Sequence, residues 1–298
     1  MRANRPQTTL AAPCTVSGRG YWTGHPNTLT FLPAEEGSGV RFERADLDGA
    51  PDVLAVSENR SSMPLRTRLT RGRAEVDMVE HVMAALYGLQ IDNVLVRCTA
   101  FEMPAMDGSS LPFALVLESA GKREQVLPRD TWRIDRTLRV GNDDQWLVAE
   151  PHVLPQDNHL ELEYHLDFGP TSPIGKATYT YRLHPPNFSQ ELAAARTFIT
   201  LETARQLQAQ GLGGHVNERD LLVFDTNGPI HNHLRFPDEC ARHKLLDLVG
   251  DLALSGIDLV GRIVAHRSGH QLNGVMAEQL RDLAKAASCV AATRLQAA

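Results

Sequence analysis

The stretch Arg242-His243-Lys244-Leu245-Leu246-Asp247-Leu248-Val249-Gly250-Asp251-Leu252-Ala253-Leu254 constrains this chain more than any other. Placed on a helix at about 100° per residue, His243, Asp247 and Asp251 share an arc of roughly 80°, with Lys244 at its edge. Leu245, Leu246, Leu248, Val249, Leu252 and Ala253 cover nearly all the remaining surface. Such a helix is mostly buried. Its charged stripe must then be paired, hydrogen-bonded or bound to a metal, because an isolated buried carboxylate costs more than folding supplies. The four-residue spacing lets a histidine nitrogen and an aspartate oxygen on adjacent turns reach one ion. The same spacing also makes an ordinary salt-bridged face. The segment alone leaves both readings open.

At 298 residues the chain predicts two domains of roughly 120 to 170 residues. With 42% hydrophobic and 22% charged residues it reads as an ordinary soluble globular protein. The net charge of -6, with no local Lys/Arg cluster, argues against a nucleic-acid partner. Cys14, Cys98, Cys240 and Cys289 stand singly with no C-x-x-C, which suggests neither a thiolate zinc site nor a disulfide framework. The polar N-terminus lacks a signal-peptide core and no apolar run approaches the ~20 residues of a transmembrane segment, so a cytoplasmic setting is expected.

The first half predicts short strands around Thr28–Leu32, Val40–Glu43 and Asp52–Val56, and a glycine turn in Ser17–Gly24. Asp77 to Gly88 predicts a helix, with Asp77 as N-cap, Glu80 in a capping-box relation to it and Gly88 as stop. Glu80 thus has a plain structural job, and His81 can be a satisfied first-turn histidine. An adjacent Glu-His pair is also what a zinc hydrolase needs when one residue holds the metal and its neighbour takes a proton from water. A strand at Ile91–Cys98 and a helix from Leu111 to Ala120 follow, with Asp107 read as a turn residue. The polar segment Gly121–Asp130 is the linker candidate, giving domains 1–127 and 128–298.

Strand-rich texture then restarts at Trp132–Ile134, Leu138–Val140, Trp146–Pro151, Leu160–Leu166 and Ala177–Tyr181. Glu80-His81, an apolar helix and Ile91-Asp92 are echoed by Arg242-His243, an apolar helix and Ile257-Asp258. This echo predicts an α+β fold of two duplicated units whose equivalent helices face each other, bringing His81 and His243 to one interface. Residues 198 to 225 predict a strand-helix-strand insertion, with Thr197 at its entry. His270 follows a strand on a glycine turn, where functional side chains tend to lie. His266 does not share an ion with it, and His231 and His233 read as solvent-facing.

Met78–Leu86, Glu102–Ser109, Ala195–Phe198, Arg242–Leu252 and Ser268–Asn273 together resemble the UDP-3-O-acyl-N-acetylglucosamine deacetylases of lipid A biosynthesis. The resemblance implies two similar two-layer α/β sandwich domains with a pseudo-twofold relation, each carrying an inserted subdomain, with the active site at their interface. It implies zinc held by His81, His243 and Asp247, with Glu80 as general base. His270 would be the cationic stabiliser and proton donor, partnered by Asp251. Thr197 would help hold the oxyanion, and Lys244 and Phe198 would contact an acylated UDP-amino-sugar. The insertion at 198–225 would form a passage for the acyl chain, and a monomer is expected. Two departures stand out: Tyr21-Trp22 replaces a Leu-His pair, and Met78 and Arg66 replace a threonine and a cysteine. The first leaves open the acyl-chain length and even the need for an acyl chain; the alternatives are a zinc deacetylase acting on another N-acetylated nucleotide sugar and, from another class, a non-catalytic ligand-binding homologue.

Overall fold

Alternating burial builds the first sheet. Val40, Phe42 and Arg44 turn inward from one strand, as do Asn27, Leu29 and Phe31 from another, which is the period-two pattern of a sheet with one face on a core. The computed structural model describes residues 5–218 and 220–296, with side chains to residue 288. Across this sheet the strands run Cys14–Arg19, Pro26–Pro33, Val94–Cys98, Val40–Arg44 and Asp52–Leu54. All neighbours are antiparallel except Val40–Arg44 with Val94–Cys98.

The second half repeats this arrangement. Its sheet runs Leu138–Gly141, Trp146–Glu150, Asp258–His266, Leu160–Asp167 and Lys176–Arg182, and the parallel pair falls at the same place in the order. Thr131–Arg133 adds a parallel pairing to the start of Asp258–His266. Among the described residues the longer helices are α1 (Glu80–Gly88), α2 (Leu111–Ala120), α3 (Leu201–Ala209), α4 (Glu239–Leu252) and α5 (His270–Gln296). In each repeat one helix, α1 or α4, precedes the central strand and another, α2 or α5, follows it. Each repeat also carries a small three-stranded sheet between its edge strand and that first helix. These comprise Arg60–Ser61, Arg68–Arg71 and Ala74–Asp77 in the first, and Phe198–Thr200, Leu222–Asp225 and Gly228–Pro229 with α3 in the second.

The echoed Ile-Asp positions are physically joined. The Arg5 guanidinium spans Asp92 at 2.7 and 2.8 Å and Asp258 at 2.7 and 3.0 Å, and Arg129 lies 3.2 Å from both carboxylates. Lys122–Pro128, expected as linker, is instead a strand paired antiparallel with Pro6–Leu10. Nearly all its side chains are exposed, so no apolar periodicity announces it. Among the described residues no helix is long and apolar enough to cross a membrane. Cys14, Cys98 and Cys240 are free thiols, and the Cys289 side chain lies outside the described residues.

All of α1 is buried, as is every residue of α4 except Arg242 and Lys244, and the two helices pack against each other. Gly250 sets how closely they approach. A Cβ there would stand 2.1 Å from the Glu80 carbonyl oxygen, which is backbone and cannot swing aside. In a free helix Gly250→Ala would be favoured by about 1 kcal/mol. Here the overlap should reverse that sign and cost about 1–3 kcal/mol, seen as a fall of several degrees in melting temperature. An unchanged or raised melting temperature would show that the helices have room to spare.

Candidate active site

α4 presents its charged stripe to α1 and to the start of α5. His243 Nε2 lies 3.4 Å from Asp247 Oδ1 across one turn, and His81 Nε2 from α1 reaches the same oxygen at 3.6 Å. The two imidazoles meet edge to face with centroids 5.1 Å apart. His81, His243 and Asp247 bring their donor atoms within 4.8 Å of one another. A tetrahedral ion with bonds of about 2.0–2.1 Å needs donors about 3.3–3.4 Å apart, so the two histidine-carboxylate spacings fit one small divalent ion of the zinc class.

The surroundings hold these donors in the required states. His243 Nδ1 sits 3.1 Å from the Ala195 carbonyl, which keeps that nitrogen protonated and leaves Nε2 free. Burial pushes the His243 imidazole down to about 3, so the ring is neutral as a ligand must be. Ser110, at the start of α2, donates to the His81 carbonyl at 2.6 Å and ties α1 in place. Asp247 divides its carboxylate: Oδ1 faces the histidines, while Oδ2 accepts from Lys244 Nζ at 2.7 Å and lies 3.8 Å from His270 Nε2. Burial opposes ionisation of Asp247, yet the neighbouring Lys244 and His270 charges hold it well below the usual carboxylate range.

Glu80 opens α1 and its side chain is turned away from Asp77. Its Oε2 accepts the Thr67 backbone N–H at 3.0 Å, and the helix start carries no side-chain cap. The expected capping box is therefore absent, because Asp77 is spent elsewhere: Arg68 donates to it at 2.6 and 2.7 Å and Arg66 at 3.0 Å. Burial raises the Glu80 pKa, which makes it a stronger base than an exposed glutamate. His270 is the first residue of α5 rather than part of a free turn. Its Nδ1 is 3.0 Å from Asp251 Oδ2, and Asn273 donates to the same oxygen at 2.9 Å. Burial disfavours the His270 cation, but Asp251, Glu80 and Asp247 outweigh it and raise its pKa to about 9.

Glu80, His81, His243, Asp247 and His270 border a cavity of about 900 Å³. Thr197, Phe198 and Lys244 line it too; the Thr197 amide is held by the Gly108 carbonyl at 2.7 Å, and Phe198 meets the His243 ring edge to face. Leu201, Leu207, Leu212, Val216, Leu221 and Val223 make its apolar side, and Tyr21 and Trp22 close part of it. Two residues with positive φ, Met78 (+61°) and Arg267 (+50°), stand just before Glu80-His81 and His270, where non-glycine residues pay strain. Asp107 is a turn residue that accepts from Ser109 and Arg235, and His266 stacks on Trp146 away from the donors. Thr67, which no motif singles out, touches both Glu80 and Asp251, and its signal appears only once the chain is folded.

Residues 7–282 match the family model of LpxC, UDP-3-O-acyl N-acetylglycosamine deacetylase. The chain belongs to this family. It is 34% identical over 276 residues to the UDP-3-O-acyl-N-acetylglucosamine deacetylase of Psychrobacter cryohalolentis, covering 92% of this chain and 85% of that protein. The enzyme of the same name from Geobacter sp. strain M21 is 36% identical, with 92% and 88% covered. The bifunctional enzyme LpxC/FabZ of Bacteroides thetaiotaomicron is 34% identical, over 92% of this chain and 64% of that one.

The donor geometry makes the metal content measurable. The purified protein should bind about one divalent ion, and His81→Ala, His243→Ala and Asp247→Ala should each weaken binding by at least roughly tenfold. Elemental analysis after dialysis against a mild chelator is the check. Undiminished metal in all three variants would exclude this trio as the ligand set.

Proposed function

We propose that this chain is a zinc-dependent deacetylase that hydrolyses the N-acetyl amide of an acylated UDP-N-acetylglucosamine, releasing acetate and a free 2-amino sugar. The observation that carries this reading is the convergence of His81, His243 and Asp247 with Glu80 and His270 at one cavity whose far side is apolar. His81, His243 and Asp247 would hold the zinc, which when bound acts as a Lewis acid on water and carbonyl. Glu80 takes the proton as water adds to the acetyl carbon. The His270 cation and the Thr197 hydroxyl face the negative charge that develops on the carbonyl oxygen. The C–N bond then breaks with a proton passing from His270 to the departing nitrogen. Asp251 keeps His270 oriented and favours its reprotonation once that proton has been given up. Lys244 anchors Asp247 while lining the route to the substrate. The protein is read as a cytoplasmic monomer.

Supplying purified, zinc-loaded protein with acylated and unacylated UDP-N-acetylglucosamine and measuring acetate release tests the assignment. Activity on neither substrate would sink it. Glu80 must be ionised, so activity is lost as pH falls; His270 must be protonated, so activity is lost as pH rises through about 9. The kcat/KM profile should be a bell, with Glu80→Ala removing the acid limb and His270→Ala the alkaline one.

Tyr21 and Trp22 bear on the acyl chain. Tyr21 donates its hydroxyl to the Asp220 carbonyl at 2.7 Å, the Trp22 backbone N–H donates to Glu102 Oε1 at 2.7 Å, and the Arg66 guanidinium lies over the Trp22 ring, 4.7 Å from its centroid. Two fixed rings on a close-packed cavity should shorten the chain it accepts. Trp22→Ala should therefore shift preference towards chains two to four carbons longer, since each methylene accommodated contributes at most about 0.8 kcal/mol, roughly fourfold. A lowered melting temperature with an unchanged chain-length profile would show that the ring serves packing alone.

A further inference from the structure

Thr67 is buried at 2% exposure and bonds in three directions. Its backbone N–H donates to Glu80 Oε2 at 3.0 Å, its hydroxyl donates to Asp251 Oδ1 at 2.5 Å, and its carbonyl accepts the Val79 N–H at 3.3 Å. The hydroxyl oxygen is also 3.4 Å from His270 Nδ1. One residue thus touches the carboxylate at the head of α1, the carboxylate on α4 and the histidine that opens α5.

Its own position is determined from outside the cavity. Arg66 and Arg68, the residues on either side, both bond the Asp77 carboxylate, which is 1% exposed. Arg66 in addition lies over the Trp22 ring, 4.7 Å from its centroid. Both neighbours are fastened to one carboxylate on the adjoining strand, and the Thr67 side chain between them turns to another partner. It points at Asp251.

The two bonds divide labour on the carboxylates. Thr67 occupies Oε2 of Glu80, which leaves Oε1 for a water proton. It occupies Oδ1 of Asp251, which leaves Oδ2 for His270 and Asn273. A buried carboxylate oxygen deprived of its donor turns to find another, and the nearest groups are the ones whose geometry matters for proton transfer.

We propose that Thr67 is a positioning residue that couples the base Glu80 to the Asp251–His270 pair, setting both side chains in register for one reaction cycle. This rests on the reading of Glu80 as base and His270 as acid. Its hydroxyl acts on kcat through Asp251, and it makes no contribution to zinc affinity or substrate binding.

The test compares Thr67→Val, which preserves shape and backbone N–H but removes the hydroxyl, with Thr67→Ser, which preserves the hydroxyl. In the zinc-loaded enzyme Thr67→Val should lower kcat on the order of ten- to a hundredfold, with KM and zinc content unchanged within about twofold, and Thr67→Ser should restore kcat to within about threefold of the parent. Adding Thr67→Val to His270→Ala should cost no more than about a further twofold, because residues acting through one another are not additive. Should Thr67→Val fail to fold by thermal melt, Thr67→Ala takes its place in the same comparison. An unchanged kcat, a serine variant as impaired as valine, or full additivity with His270→Ala would each overturn the proposal. Full activity in His270→Ala or Glu80→Gln would instead overturn the underlying acid-base assignment, whatever Thr67 does.

Discussion

Everything in this structure answers to the negative charge buried on α4. Asp247 and Asp251 are 3% and 0% exposed on a helix whose other faces are leucine, valine and glycine. Neither can stay charged there without partners, since even well-paired buried ions struggle to repay their desolvation. Asp247 has Lys244 and two histidine nitrogens within about 3.6 Å, and Asp251 has Thr67, His270 and Asn273. The partners come from four different segments. Burying one stripe of one helix therefore obliges α1, α5 and the hairpin before α1 to converge on it.

That convergence has a chemical consequence because the compensation is incomplete. Asp251 is satisfied by hydrogen bonds and so behaves as a structural anion that holds His270 charged. Asp247 Oδ1, by contrast, faces two imidazole nitrogens of which one belongs to a ring that burial keeps neutral. A neutral imidazole facing a carboxylate gives no charge neutralisation, whereas a divalent cation between them gives a good deal. The same burial that would be a defect in a metal-free core would favour a cation placed among these donors.

The α4 stripe was legible from sequence because its period matches the helix and its neighbours leave no alternative face. So were the strands at Phe198–Thr200 and Leu222–Asp225, set off by the glycine-rich stretch between them. The failures share a cause. Asp77 looked like an N-cap because it precedes a helix, but the hairpin formed by Arg68–Arg71 and Ala74–Asp77 brings two arginines onto it from about ten residues upstream, and local sequence carries no sign of that pairing. Lys122–Pro128 looked like a linker because a strand wet on both faces has no hydrophobic period. Thr67 was invisible for both reasons, being a lone threonine whose partners lie 13, 184 and 203 residues away.

The two repeats share a topology and divide the chemistry unequally. Set His81 of α1 against His243 of α4, and the positions matching Asp247 and Asp251 are Ala85 and Leu89, while Arg242 is matched by Glu80. The first repeat thus contributes a histidine and a glutamate from an otherwise apolar helix, and the second contributes the two aspartates. This division follows from electrostatics. Two copies of the acidic stripe face to face across the Gly250 contact would place four buried carboxylates within a few ångströms, and like charges so close drive one another's pKa upward until some lose their charge. With one stripe acidic and the other stripped to alanine and leucine, every carboxylate can find a donor and the helices can approach to backbone contact. The space left at the helix ends is then lined by groups of opposite character, Glu80 and the His270 cation. A duplicated fold can bury a glutamate and a histidine side by side in this way only when its two halves have diverged at the stripe.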